Sequence, residues 1–406
     1  MNILLSAFAC DPLFGSDEEV GWRWAENLAR RGHRVSVITR ASHQAVIEQH
    51  IAETGECASV NFIYHDLPWL HAVLRRVNRR NHLYYYFWQW TAASKVLSLS
   101  EQHRWDVIHH VTWVSIRQPS FMWRTPAQFI FGPVAGGDEI PAGYARSFSL
   151  KERMVEAVRS FANSLVRLDP LMRTTYGRAH RIVVTSRQQI ALLPEAVRSR
   201  VEVALAIGTN AEHANPGAVM GAAEQLCAPP KLLFAGRLLS LKGMHIGLRA
   251  FAQILKREPE ATLTIVGDGV DRARLEALAA ELGIAHAVIW KGWMSKAELA
   301  AAYRSYDLLF YPSLRDSGAF VVLEALEAGV PVVCFDLGGP GVIVDESCGE
   351  AVAPPKAESD APMALAEGAL RQIERLRTGG VSSADCQHRA GQFTWSQLVE
   401  TVYPSR

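Results

Sequence analysis

A chain of 406 residues is long enough for two domains, each with its own hydrophobic core. Apolar residues make up 49% and charged residues 20%, the balance of an ordinary globular enzyme, and a net charge of +1 argues against nucleic acid as a partner. The charge is uneven, however. Residues 1–200 hold 24 Lys and Arg against 17 Asp and Glu, and residues 201–406 hold 18 against 24. Halves of +7 and −6 suit different partners.

Six cysteines (Cys10, Cys57, Cys227, Cys334, Cys348, Cys386) form no C-x-x-C pair, so neither a zinc knuckle nor a disulfide framework is indicated. Reduced thiols in a cytoplasmic protein fit that pattern. The opening MNILLSAFAC lacks a positive n-region, and its apolar run is short. It is expected to be a buried first strand rather than a leader. No apolar run reaches the length that a membrane-spanning helix needs.

Asn2–Phe8 reads as a parallel strand covered on both faces. A loop, Ala9–Ser16, leads to a helix over about Asp17–Arg30, with acidic residues in its first turn and arginines in its last. Arg34–Thr39 is a second strand, which completes a βαβ unit. Gly15-Ser16 then sits at the strand-to-helix turn where such folds accept a ligand's anionic or hydroxyl groups. The turn is not G-x-G-x-x-G, so a dinucleotide has no support.

A third strand, Ser59–His65, precedes WLHAVLRRVNRR at Trp69–Arg80. There Trp69, Leu70, Val73, Leu74 and Val77 share a helical face, with Arg75, Arg76, Arg79 and Arg80 largely opposite, and Tyr84–Trp88 and Trp90 close behind. A basic amphipathic helix beside aromatics can dock on an anionic membrane surface. An ordinary surface helix followed by an aromatic core helix has the same pattern. Trp105–His110 is a strand that carries His109 and His110 to its C-terminal end, and only one of them can face a ligand. Phe129–Gly132 is another strand, and Gly136-Gly137-Asp138 follows it in a turn open to close backbone approach. Helical patterns fill Leu150–Arg178, and Arg181–Thr185 is the last strand predicted in this half.

Ile207–Pro230 has the composition of an interdomain linker. Beyond it the alternation restarts, with strands at Lys231–Ala235, Ala261–Val266, Val288–Lys291 and Asp307–Tyr311. Helices at Lys242–Lys256, Asp271–Leu282 and Ser295–Tyr303 separate them. Two α/β halves of similar size imply a cleft between them. Gly236-Arg237-Leu238-Leu239-Ser240-Leu241-Lys242-Gly243 links a strand to a helix, so Arg237 and Lys242 are two cations at a sheet edge, suited to a diphosphate. Gly267-Asp268-Gly269 and Lys291-Gly292-Trp293 end the next two strands on that same edge. Tyr311–Asp336 adds Asp316 and Ser317 before a helix and Glu324 on it. Read singly, these are an N-cap and a solvated acid. Read together, two cations, two carboxylates, a helix N-terminus and glycine turns suit a nucleotide-diphosphate-sugar.

The motifs GRLLSLKG, IVGDGVDRARLE, VIWKGW and RDSGAFVVLEALEAGVPVV resemble retaining glycosyltransferase family 4, whose members have the GT-B fold. ACDPLFGSDEEVGW, DVIHHVTWVS and FGPVAGGDEIP extend the resemblance over nearly the whole chain. The resemblance implies two Rossmann-like, doubly wound parallel-sheet domains facing a central cleft. It implies an acceptor domain at 1–206, a donor domain at 207–385, and a C-terminal helix in 386–406 crossing back, for which Thr394–Tyr403 is placed. Arg237 and Lys242 would hold the donor diphosphate beside Gly236, Gly267, Asp268 and Gly269. Glu324 would accept from the ribose hydroxyls. Asp316 and the backbone of Ser317, Gly318, Ala319 and Phe320 would meet the transferred sugar. Lys291, Gly292 and Trp293 would lie near the base, and Gly15, Ser16, Gly136, Gly137 and Asp138 would line the acceptor side.

Two departures stand out. The family's acidic pair usually begins with Glu, and here begins with Asp316, one methylene shorter. The family's histidines fall three and five residues after the strand's Asp; counted from Asp106 these are His109 and Val111, with His110 between. Which histidine approaches the anomeric centre stays open. The reading is a retaining transferase that moves sugar from a UDP-, GDP- or other NDP-sugar to a glycan or lipid-linked acceptor. It calls for no cofactor and no metal, and places the chain in the cytoplasm, at the inner face of a membrane docked through Trp69–Arg80. An epimerase of the same fold and a non-catalytic sugar-nucleotide-binding protein are the alternatives.

Overall fold

A computed structural model describes residues 1–13, 18–67, 70, 82–209 and 228–404. The chain divides into two compact units. The first comprises Met1–Gly137, Ser160–Gly208 and Trp395–Arg406, and the second comprises Asp138–Arg159 and Thr209–Thr394. The expected division at 206/207 is thus interrupted, because 138–159 groups with the second unit. The returning segment begins at Trp395 rather than 386.

In the first unit β1 (Asn2–Ser6), β2 (Arg34–Thr39), β3 (Asn61–Tyr64), β4 (Val107–His110), β5 (Gln128–Val134), β6 (Arg181–Val184) and β7 (Val201–Val203) form one sheet. Its order is β3-β2-β1-β4-β5-β6-β7, and every pairing is parallel. The central strands are buried almost throughout, since helices cover both faces. Phe8, Tyr84, Tyr85, Trp88, Phe121, Phe131 and Tyr176 fill one side of this core.

The second unit repeats the plan with β8 (Lys231–Ala235), β9 (Thr262–Val266), β10 (Val288–Gly292), β11 (Leu308–Tyr311), β12 (Val332–Phe335) and β13 (Gly349–Val352). Its order is β10-β9-β8-β11-β12-β13, again all parallel. The helices used below are α1 (Val20–Arg30), α2 (His82–Leu99), α3 (Leu150–Leu165), α4 (Met244–Ile254), α5 (Phe320–Glu327) and α6 (Trp395–Val402).

Three predicted elements shift. Helix α1 starts at Val20, so its first turn holds no acid; Glu18 instead pairs with Arg40 at 3.1 Å. The helical stretch at 150–178 breaks after Leu165, where Asp169 accepts from the Leu171 and Met172 N–H groups and starts a new helix at Pro170. The first sheet extends past β6 to the short β7, which was not expected. Residues Trp69–Arg80, apart from Leu70, lie outside the described residues, as do Gly15 and Ser16. Among the described residues no helix is long and apolar enough to cross a membrane.

Candidate active site

Strand order reverses in the second sheet at β8 and β11, and the connections leaving them diverge, which opens a crevice at their C-terminal ends. Lys242 ends a short turn after β8 and enters that crevice. Its Nζ donates to the Tyr311 hydroxyl at 2.6 Å and pairs with Asp316 Oδ2 at 2.7 Å. Tyr311 donates to the same carboxylate oxygen at 2.5 Å. The lysine turn closes at Gly243, where φ is +70° and a Cβ would meet the Pro312 carbonyl at 2.0 Å. Only glycine fits there.

The other Asp316 oxygen, Oδ1, accepts from the Gly318 and Ala319 N–H groups, each at 3.1 Å. Burial alone would raise this carboxyl. The Lys242 charge, with hydrogen bonds from Lys242, Tyr311 and Ala319, holds it below the ordinary aspartate range instead. Asp316 therefore stays ionised and fastens the lysine to the loop before α5. That loop ends with Ala319 at φ 50°, a left-handed conformation that costs an alanine about 1 kcal/mol. Strain of this kind gathers at functional turns.

Backbone bonds draw the neighbouring turns into a row. Gly267 N–H donates to Gly292 O at 2.7 Å, Gly236 N–H to Val266 O at 3.0 Å, and Leu238 N–H to Asp268 O at 2.9 Å. Gly267, at φ +130°, lies so close that a Cβ would come within 2.0 Å of the Gly236 carbonyl. On the other flank Gly339 N–H donates to Asp316 O at 2.7 Å. Arg237 is exposed beside this row and makes no ion pair among the described residues. Asp268 spends one oxygen on the Gly269 N–H at 2.8 Å. Lys291 is exposed, and Trp293 is 76% exposed at the far end. Ser317, Gly318 and Phe320 are half-buried at the start of α5.

Glu324, one turn into α5, accepts from the Tyr303 hydroxyl at 3.0 Å and lies 3.9 Å from Lys296 Nζ. Burial raises its carboxyl, and Lys296 and Tyr303 only partly offset that. The second unit thus assembles cations, carboxylates and glycine turns on one edge, in the chemistry of a polar, doubly charged ligand.

In the first unit the equivalent switch point lies between β1 and β4. A cavity of about 580 Å³ opens there, lined by Val20, Val111–Ser115, Arg117, Gln118, Pro133, Ala135, Gly136 and Ala206. Gly136 faces it. Gly137 does not, and packs behind it near Ile116, Gln189 and Leu192.

Neither histidine lines the cavity. His109 is fully buried, with Nε2 2.9 Å from Gly132 O and Nδ1 3.0 Å from the Tyr403 hydroxyl. His110 is 1% exposed and held by the Tyr85 hydroxyl at 2.7 Å. Burial pushes both imidazoles down to about 3. They are neutral core residues, one on each face of β4, and the expected choice between them falls away.

The cavity is reached by the next residues instead. Trp113, at φ 55°, turns the chain onto it, and Arg117 donates to Gly136 O at 3.0 Å and to Asn163. The sequence signal for both was their position just past a central strand end. Asp138 is a second correction. It belongs to the second unit and accepts from the Ser317 hydroxyl at 2.7 Å, so it supports the loop before α5 rather than the acceptor side.

Two Rossmann-like, all-parallel units, one carrying a cation–carboxylate cluster at its switch point, define the GT-B fold. Residues 226–367 match the family described as Glycosyl transferases group 1. The D-inositol 3-phosphate glycosyltransferase of Nocardia farcinica (strain IFM 10152) is 28% identical over 420 residues, covering 94% of this chain and 82% of that protein. Among solved structures, the lipopolysaccharide outer core galactosyltransferase WaaB in its apo form superposes with a TM-score of 0.59 at 14% identity, over 99% of each chain. Anabaena HepE in complex with UDP superposes at 0.55 and 18% identity, over 99% of this chain and 98% of that one. Residues 226–367 thus resemble group 1 glycosyltransferases, and the chain as a whole has the GT-B fold.

Proposed function

We propose that the protein is a retaining glycosyltransferase that moves a sugar from a nucleotide-diphosphate-sugar to a hydroxyl of a glycan or lipid-linked glycan. The observation that carries this is the Lys242–Asp316–Tyr311 cluster at the switch point of the second sheet, with Arg237 exposed beside it. Arg237 and Lys242 neutralise the diphosphate as it departs, in the role a metal ion serves elsewhere. Asp316 keeps Lys242 in place and presents the N–H groups after Ser317 to the sugar. Glu324 takes hydrogen bonds from the ribose, and the Lys291–Trp293 turn lies toward the base. The acceptor hydroxyl enters on the face the diphosphate leaves, past an oxocarbenium-like transition state, and passes its proton to the leaving phosphate.

The complex of HepE with UDP supports a nucleotide donor. The cavity of the first unit, apolar around Val111, Val114 and Ala206 with Arg117 at its wall, suits an amphipathic acceptor. A lipid-linked acceptor would place the reaction on the cytoplasmic face of a membrane, in the synthesis of a cell-surface polysaccharide or glycolipid.

The test incubates the protein with a panel of UDP- and GDP-sugars and a membrane lipid extract, in EDTA, and follows nucleotide release and the anomeric configuration of the product. One donor is expected to give a product of retained configuration, and Arg237→Ala to abolish turnover. Free isomerised sugar without acceptor would point to an epimerase, and binding without turnover to a non-catalytic protein. Glu324→Gln is expected to raise KM for the donor about tenfold with little change in kcat, because a charged acceptor is replaced by a neutral one. Steady-state kinetics over a range of donor concentrations check this.

A further inference from the structure

Helix α3 is amphipathic the wrong way round. A surface helix ordinarily buries its apolar stripe and shows water its polar face. Here Leu150, Met154, Val158, Phe161 and Leu165 are 75%, 70%, 68%, 65% and 42% exposed. With 3.6 residues per turn, these five fall within an arc of about 80°. Leu168, 71% exposed, continues the row past the helix end.

The polar side faces the protein. Glu156 pairs with Arg315 at 2.9 Å, and the fully buried Asn163 accepts from Arg117. An apolar row left in water on a folded protein marks an interaction surface.

The charges around the row identify its partner. Residues 146–178 hold seven Lys and Arg (Arg146, Lys151, Arg153, Arg159, Arg167, Arg173, Arg178) against three acids, Glu152, Glu156 and Asp169. All three acids are engaged, the last as the cap of the next helix. Lys151 and Arg153 are exposed beside the row, while Arg167 donates to the Ala191 and Leu192 carbonyls. A second copy laid on this face would set cation against cation with no unengaged acid to meet it. An anionic surface would complement both features, taking the apolar side chains into its interfacial layer while the cations reach its phosphates.

We propose that α3 lies flat on an anionic phospholipid bilayer, with Leu150, Met154, Val158, Phe161 and Leu165 inserted among the lipids. This contact takes no part in the reaction.

The test is co-sedimentation of the full chain with vesicles of equimolar phosphatidylcholine and phosphatidylglycerol, and with phosphatidylcholine alone. The wild-type protein is expected to bind the mixed vesicles, and to bind them less as salt is raised. Met154→Gln/Val158→Gln/Phe161→Gln should weaken that binding at least about tenfold. Lys151→Glu/Arg153→Glu keeps the row intact and should abolish the preference for anionic vesicles. Both variants alter exposed positions and should melt with the wild-type protein. Undiminished binding of the glutamine variant would overturn the proposal, as would absence of wild-type binding. A wild-type dimer that the glutamine variant turns into a monomer would overturn it in favour of a second copy.

Discussion

Lys242→Ala is expected to lower kcat/KM for the sugar nucleotide by about two to three orders of magnitude, the usual cost of removing a preorganised charge from a developing anion. The ammonium is held by two partners, so it arrives at the diphosphate already oriented. Its loss also leaves Asp316 with only Tyr311 and two N–H groups. That second effect is one of stability, and pH separates it from catalysis. In the wild-type protein Asp316 lies below its ordinary value near 3.8. Its contribution is therefore present above that pH and lost as pH falls through the lowered value. Without Lys242, burial is left to push the carboxyl up, so its ionised form burdens the variant near neutrality. The gap in melting temperature between the two proteins should be widest near pH 7 and close in acid, where Asp316 is neutral in both. The loss of activity should remain at every pH where the wild-type enzyme works. A rate deficit that closed together with the melting gap would make Lys242 a structural residue only.

The sequence made the second unit more legible than the first, for a reason of distance along the chain. LLFA and LLFY are continuous buried runs ending at glycine or polar turns, and the donor-edge groups sit at those ends. Their roles follow from local order once the sheet is parallel. VEV and GEAV are too short and too polar to announce β7 and β13. The histidines misled because their partners are remote: Tyr403 lies 294 residues beyond His109. A histidine at a strand end looks the same from sequence whether a ligand or a tyrosine waits for it. Asp138 is a similar case, since Ser317, which fixes its role, is 179 residues away. For α3 the periodicity was plain, but period alone never says which face a helix turns inward.

Removal of residues 395–406 is expected to unfold the first unit. Helix α6 and the residue after it bury Trp395, Leu398, Val399, Val402 and Tyr403, each at most 6% exposed. At about 1.5–3 kcal/mol for each apolar side chain, that burial amounts to roughly 8–15 kcal/mol as an upper bound, similar to the whole stability of a domain. Polar anchors add to it, since Arg31 pairs with Glu400 and Arg181 donates to the Val402 carbonyl. One anchor reaches the sheet itself. His109 Nε2 faces the Gly132 carbonyl and so carries the proton, which leaves Nδ1 to accept from the Tyr403 hydroxyl. Truncation removes all of these contacts, whereas Tyr403→Phe strips only the donor from that buried nitrogen and should cost only about 1–3 kcal/mol. Hydrogen exchange read by mass spectrometry distinguishes the two: β1, β4 and β5 should lose protection in the truncated chain and keep most of it in Tyr403→Phe. Retained protection in the truncated chain would mean that the first sheet closes its core without α6. His109 would then need a donor from solvent, and its imidazole should titrate closer to the ordinary histidine range.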